Sequence, residues 1–158
     1  MSVLNFACEN DLDDCVKNAV KMFKIWKNTN ENKLVILTSK TFRTVRVTIL
    51  RIPASFRSFV YCTSIRNGGA DEWNFLSQKY DLESDSNARN DLQYGMSCSK
   101  EPFLIKAFIN DQLNSTKVRS QDTLSGIRYA SRSPYATEFT WNFVKNNWNE
   151  LFDRLFKL

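Results

Sequence analysis

An all-α fold, an antiparallel helical array, is predicted by three features of this sequence. Apolar residues recur at spacings of three and four along most of the chain. Pro, Gly and Ser/Asp fall at the ends of those segments rather than inside them. The connecting stretches are short and polar. A chain of 158 residues with 42% apolar and 25% charged side chains is ordinary for one soluble domain, 1–158. At that length folding buries roughly 68–70% of the unfolded surface, so neither metal nor disulfide is required for a core.

The first helix is expected over Leu12–Trp26, where Leu12, Val16, Ala19, Val20, Phe23 and Trp26 share one face. Asp11 is its expected N-cap, and Asp14 sits near the positive end of its dipole. Asn28–Asn32 is a polar break. Residues 33–50 differ in kind: they are rich in Val, Ile and Thr, and "TFRTVRVTIL" alternates apolar with polar, which predicts a β-hairpin insertion turning near Ser39-Lys40. Helical patterning returns with Pro53 in a first turn, and Phe56, Phe59, Val60 and Thr63 form one side as far as Asn67. Gly68-Gly69 is then expected to close the helix in a left-handed cap and turn the chain back. Ala70–Tyr80 follows as an antiparallel partner with Trp73, Leu76 and Tyr80 inward.

Ser84, Asp85 and Ser86 are candidate caps for the next helix, and Pro102 suits the first turn of the one after, with Phe103, Ala107 and Phe108 as its buried stripe. Leu124, Ile127 and Ala130 mark a further helix. One last helix from about Tyr135 carries Trp141, Val144, Trp148, Leu151 and Leu155. Six to eight helices are expected, roughly one to four turns each, without a strict sequence repeat.

The net charge of +5 is spread among acidic residues with no run of like charge, so the composition argues against a nucleic-acid partner. No apolar run approaches the ~18 residues of a membrane span, and "MSVLNFACEND" lacks the pattern of a signal peptide. The four cysteines, Cys8, Cys15, Cys62 and Cys98, suit either two bridges in an oxidising compartment or four buried thiols. With no Cys-x-x-Cys and no histidine, they match no zinc pattern.

The absence of histidine also removes the commonest general base and every Ser-His or Cys-His dyad. Asp71/Glu72 and Glu83/Asp85 could act as acid and base, but at helix starts they are expected as caps and dipole partners. No catalytic residue, metal ligand or cofactor is expected in this chain. Arg57, Arg66, Lys100, Arg119, Arg128 and Arg132 lie near helix ends or aromatics and are candidate contacts for a peptide or another domain. Asn114-Ser115-Thr116 is an N-glycosylation sequon, meaningful if the chain is lumenal or extracellular.

"ASFRSFVYCTSIRNGGADEWNFL", "LQYGMSCSKEPFLIKAFIND", "VRSQDT" and "TWNFVKNNWNELFDR", with "LNFACENDLDDCVKNAVKMFKIW" upstream, resemble in order the C-terminal, ERAP-like helical domain of zinc aminopeptidases of the aminopeptidase N type. The resemblance covers about 3–27 and 52–154. It implies an α-helical, HEAT-like superhelix that closes over a separate zinc-bearing catalytic domain and helps wall the peptide cavity of an ectoenzyme. Its partners would be that catalytic domain and the peptide substrate, on the extracellular or lumenal side. It also implies disulfides Cys8 to Cys15 and Cys62 to Cys98.

The family's zinc-binding His-Glu-x-x-His has no counterpart here. Residues 33–50 have no match in the family pattern, "SPYATEFTW" replaces an Asn-Pro-Tyr-Gly-Arg-like turn, and the chain ends at Leu158 before the family's last helices. The expected function is therefore a non-catalytic C-terminal domain, incomplete at its C-terminus. A free-standing helical module that binds protein or peptide is the alternative.

Overall fold

The computed structural model describes residues 3–29 and 52–156, and the expected hairpin at 33–50 lies outside them. Among the described residues there are nine α-helices and no strand: α1 Val3–Glu9, α2 Asp13–Thr29, α3 Ala54–Asn67, α4 Ala70–Leu82, α5 Ser86–Ser97, α6 Pro102–Asp111, α7 Ser120–Arg132, α8 Thr137–Asn146 and α9 Trp148–Phe156. The all-α expectation holds. From α3 onward the helices form antiparallel hairpins stacked side by side, α3 on α5 on α7 in one row, with α4, α6 and α8 in the other. The row continues to α2 on one side and α9 on the other.

α3 is the centre. Every residue from Phe59 to Ile65 is buried, so this helix has no solvated face in its second half. Its aromatic neighbours come from α2 and α4: Trp26 stacks on Tyr61 at 5.0 Å, and Phe75 meets Trp26 edge-on at 4.8 Å and Phe23 at 5.9 Å. Each such pair contributes about 0.5–1.5 kcal/mol beyond its buried area. Trp73, Leu76 and Tyr80 are buried as expected.

Several local expectations are corrected. Asp11 is not the N-cap of α2, because it stands in the left-handed region (φ 55°) at the α1–α2 corner and α2 starts two residues later. Pro53 precedes α3 as its N-cap instead of occupying the first turn. Gly68 is extended (φ −107°, ψ −154°) and not left-handed; its glycine is needed because a Cβ there would lie 2.7 Å from the Ser64 carbonyl and 2.9 Å from Glu72. In α6 the buried stripe is Leu104, Ile105, Phe108 and Ile109, while Phe103 and Ala107 are exposed. α6 is apolar on both sides, so spacing alone does not choose the phase.

In α7 the buried residues are Asp122, Thr123, Gly126 and Ala130; Leu124 faces out and Ile127 is half-buried. The single C-terminal helix is two helices, with a break at Asn147. Leu151 is buried, whereas Trp141 (61% exposed) and Trp148 (58%) are not. The helix α1 was not anticipated, being too short for a periodic signal.

Candidate docking edge

Helices α3, α5 and α7 run parallel, which sorts every candidate residue to one of two edges. Tyr61 faces Gly95, Cys62 is bonded to Cys98, Gln93 lies against Gly126, and Tyr94 meets the Tyr129 ring at 5.4 Å. The disulfide partners are 36 residues apart, and the other pairs advance by about the same amount, the length of one helical hairpin. One edge therefore collects the C-terminal ends of α3, α5 and α7. The opposite edge collects their N-terminal ends and the α6–α7 connection.

At the C-terminal edge, the disulfide Cys62–Cys98 (S–S 2.10 Å) ties the end of α3 to the end of α5. The second disulfide, Cys8–Cys15 (2.08 Å), staples α1 to α2. Arg66 is not a free contact residue, because its guanidinium donates to the Glu9 carbonyl (3.4 Å) and to Cys62 Sγ (3.6 Å), fastening α1 over α3. The Tyr94 hydroxyl reaches the Glu9 carboxylate at 3.4 Å, extending the same seam. Lys100 and Arg128 are exposed on this edge, Lys100 with its ammonium 6.0 Å from the Tyr135 ring and Arg128 with its guanidinium 5.5 Å from that of Tyr129. Arg132, at the end of α7, is exposed beside them. Cations here also complement the negative ends of the helix dipoles.

The opposite edge holds the other two candidates, and both are engaged within the chain. Arg57 donates to the Ile52 carbonyl at 3.2 Å, and Arg119 pairs with Asp122 at 2.7 Å and reaches Ser86 Oγ at 3.5 Å. Asp85 caps α5 by accepting from the Ala88 N–H at 2.8 Å. Burial pushes the Asp91 carboxyl up, and the nearby Arg57 charge pulls it back only in part. Asp71 and Glu72 act at the α4 start as expected: Glu72 accepts from the Gly69 N–H at 3.1 Å, and both carboxylates pair with Lys27 of α2.

Two arginines that the sequence reading passed over matter most here. Arg89 is 7% exposed; it donates to the carbonyls of Tyr80 (3.0 Å), Glu83 (3.1 Å) and Lys117 (3.0 Å), and lies 3.5 Å from Asp122. Its guanidinium sits 4.0 Å above the Tyr80 ring. Burial pushes the Tyr80 hydroxyl up, against the opposing Arg89 charge. Arg154 of α9 donates to Thr123 Oγ1 (3.0 Å), the Leu113 carbonyl (3.1 Å) and the Val118 carbonyl. Together they clamp the α6–α7 connection from both sides. The available signal was Arg89 at helical spacing with Leu92 and Met96, a charge on an apolar stripe.

A cleft of about 280 Å³ lies between α4, α5, α6 and that connection, lined by Trp73, Tyr80, Gln93, Met96, Phe108 and Lys117. The space left inside it is only about 10 Å³, room for about one water, so this cleft does not hold a small-molecule ligand. Among the described residues no cluster of three or more His, Cys, Asp or Glu could hold a metal. All four cysteine sulfurs are committed to disulfides. No helix among the described residues is long and apolar enough to cross a membrane.

The profile of the ERAP1-like C-terminal domain matches residues 1–157. Aminopeptidase N of Rattus norvegicus is 26% identical over 153 residues, which is 97% of this chain and 14% of that protein. Aminopeptidase N of Homo sapiens is 27% identical over 154 residues, again 97% of this chain and 14% of the relative. Glutamyl aminopeptidase of Rattus norvegicus gives 27% over 154 residues with the same coverage. The chain thus spans about one seventh of the length of the curated relatives it matches.

Proposed function

The chain belongs to the ERAP1-like C-terminal domain family, and on that premise we propose that it serves as the non-catalytic C-terminal domain of an aminopeptidase N-type enzyme, docking on the catalytic domain and shaping the peptide cavity. The observation that carries this reading is the match over 97% of this chain to one seventh of proteins named as aminopeptidases. A chain with no histidine and with all four cysteines bridged has neither a His base nor a Cys nucleophile, which supports placing the chemistry in a partner domain. Zinc, which the family resemblance implies, would be held there, since no group of three or more His, Cys, Asp or Glu among the described residues could hold it.

Two disulfides support an extracellular or lumenal setting. Lys100 and Arg128 are the contact residues we assign to the docking edge, because they are exposed there beside aromatic rings. Arg57, Arg66 and Arg119 hold the domain together instead.

The test mixes the oxidised chain with the remaining portion of an aminopeptidase N-type enzyme and follows co-elution and peptidase activity. Association that K100E/R128E weakens at least tenfold supports the reading. A folded chain that leaves the enzyme portion unbound contradicts it and favours the free-standing module.

A further inference from the structure

We propose that Asn114 is an N-glycosylation site whose oligosaccharide projects from the edge opposite Lys100 and Arg128, so that this edge faces solvent in the assembled protein. The sequence holds one Asn-x-Ser/Thr triplet, Asn114-Ser115-Thr116, followed by Lys117 and not by proline. All three residues are exposed, in the connection between α6 and α7. Asn114 Oδ1 accepts from the Thr116 N–H (3.0 Å) and from the Thr116 hydroxyl (2.7 Å). Both of these hydrogen bonds are accepted by Oδ1, on a residue that is itself exposed. Two donors on the amide oxygen draw electron density toward it and make the Nδ2 protons more acidic.

The surroundings add a second argument. The connection is anchored from beneath, by Arg89 on the Lys117 carbonyl and by Arg154 on the Leu113 and Val118 carbonyls. Its backbone is thus fastened to α5 and α9 on the inner side while the triplet stands outward. An oligosaccharide there displaces none of these contacts. The transfer is redox-neutral: Nδ2 attacks the anomeric carbon of a lipid diphosphate-linked oligosaccharide, the carbon–oxygen bond to the diphosphate breaks, the lipid diphosphate leaves with the electron pair, and one Nδ2 proton passes to a base of the transferase. The proposal rests on the extracellular or lumenal setting proposed above, and not on the assignment of Lys100 and Arg128 to the docking edge.

The 158-residue chain, secreted from a eukaryotic host behind a cleavable leader, is analysed by intact mass and by mapping of the Asn114 peptide. The expected result is one N-linked oligosaccharide, removed by peptide-N-glycosidase with conversion of Asn114 to aspartate. N114Q and T116A are each expected to abolish it, and T116S to retain it in part. Secretion of wild-type chain with both disulfides formed and the Asn114 peptide unmodified overturns the proposal, whatever the variants do. A glycosylated chain that binds the enzyme portion only after glycosidase treatment confirms the modification and overturns the solvent-facing edge.

Discussion

Gly95 of α5 lies so close to Tyr61 of α3 that a Cβ at position 95 would stand 2.6 Å from the Tyr61 Cβ and 3.0 Å from Leu76 Cδ1. This contact fixes the separation of the two central helices, and both neighbours are buried. Gly95→Ala should destabilise the domain by about 1–3 kcal/mol through overpacking, despite the better helix propensity of alanine. Urea unfolding of the oxidised chain measures it. A neutral or stabilising outcome would mean that the helices separate without cost.

Removing Arg89 should be more damaging than removing any exposed arginine. Arg89→Met leaves Asp122 with Arg119 alone and strips the Tyr80, Glu83 and Lys117 carbonyls of a donor. A loss of about 3–5 kcal/mol is expected, as for breaking a buried ion pair from one side. Arg128→Met, at an exposed position, should stay within about 0.5 kcal/mol. Denaturation midpoints of the two variants give the comparison.

The two disulfides should contribute unequally. Cys62–Cys98 closes a loop of 36 residues and Cys8–Cys15 one of 7. Chain entropy then gives about 4 kcal/mol for the first and about 2 kcal/mol for the second. Paired Cys→Ala variants, unfolded without reductant, test the order. Equal losses would show that strain or residual structure dominates.

Acid should weaken the α2–α4 contact through Glu72. Burial acts to raise this carboxyl, but hydrogen bonds from the Gly69 and Glu72 amides together with Lys27 outweigh it and hold the group below its ordinary value. A depressed folded value means that the unfolded chain binds the proton first. The stabilisation is therefore complete above the ordinary carboxylate value and is lost as pH falls through the folded one. Glu72→Gln should lose less stability than wild type between pH 7 and pH 3. Asp91 titrates in the opposite sense, raised by burial, so the difference between the two proteins isolates Glu72.

Legibility followed the chemistry of each helix face. In α4, Trp73, Leu76 and Tyr80 are large, apolar and correctly spaced, and they are the buried face. In α7 the core side is made by Asp122, Thr123 and Gly126, which hydrophobic periodicity cannot follow. Gly126 is small because Gln112 and Gln93 occupy the space that a Cβ would need. That requirement comes from α5 and α6 and is invisible from α7 alone. The disulfide pairing was legible through the family resemblance, and the structure bears it out. The candidate basic residues were legible as residues, but their division between two edges depends on the parallel stacking of α3, α5 and α7. Arg57 and Arg119 are engaged locally, by the Ile52 carbonyl and by Asp122, whereas Arg66 reaches the Glu9 carbonyl of α1, a partner that spacing does not reveal.

The edge carrying the C-terminal ends of α3, α5 and α7 is the surface we propose to dock on the catalytic portion of an aminopeptidase N-type enzyme. Hydrogen–deuterium exchange of the oxidised chain, free and bound to that portion, tests it most directly. Slower exchange on binding is expected for peptides around Arg66, Lys100 and Arg128, with the segment around Asn114 unchanged. Protection centred on Asn114 and Arg119, with the Lys100 and Arg128 peptides unaffected, would contradict it.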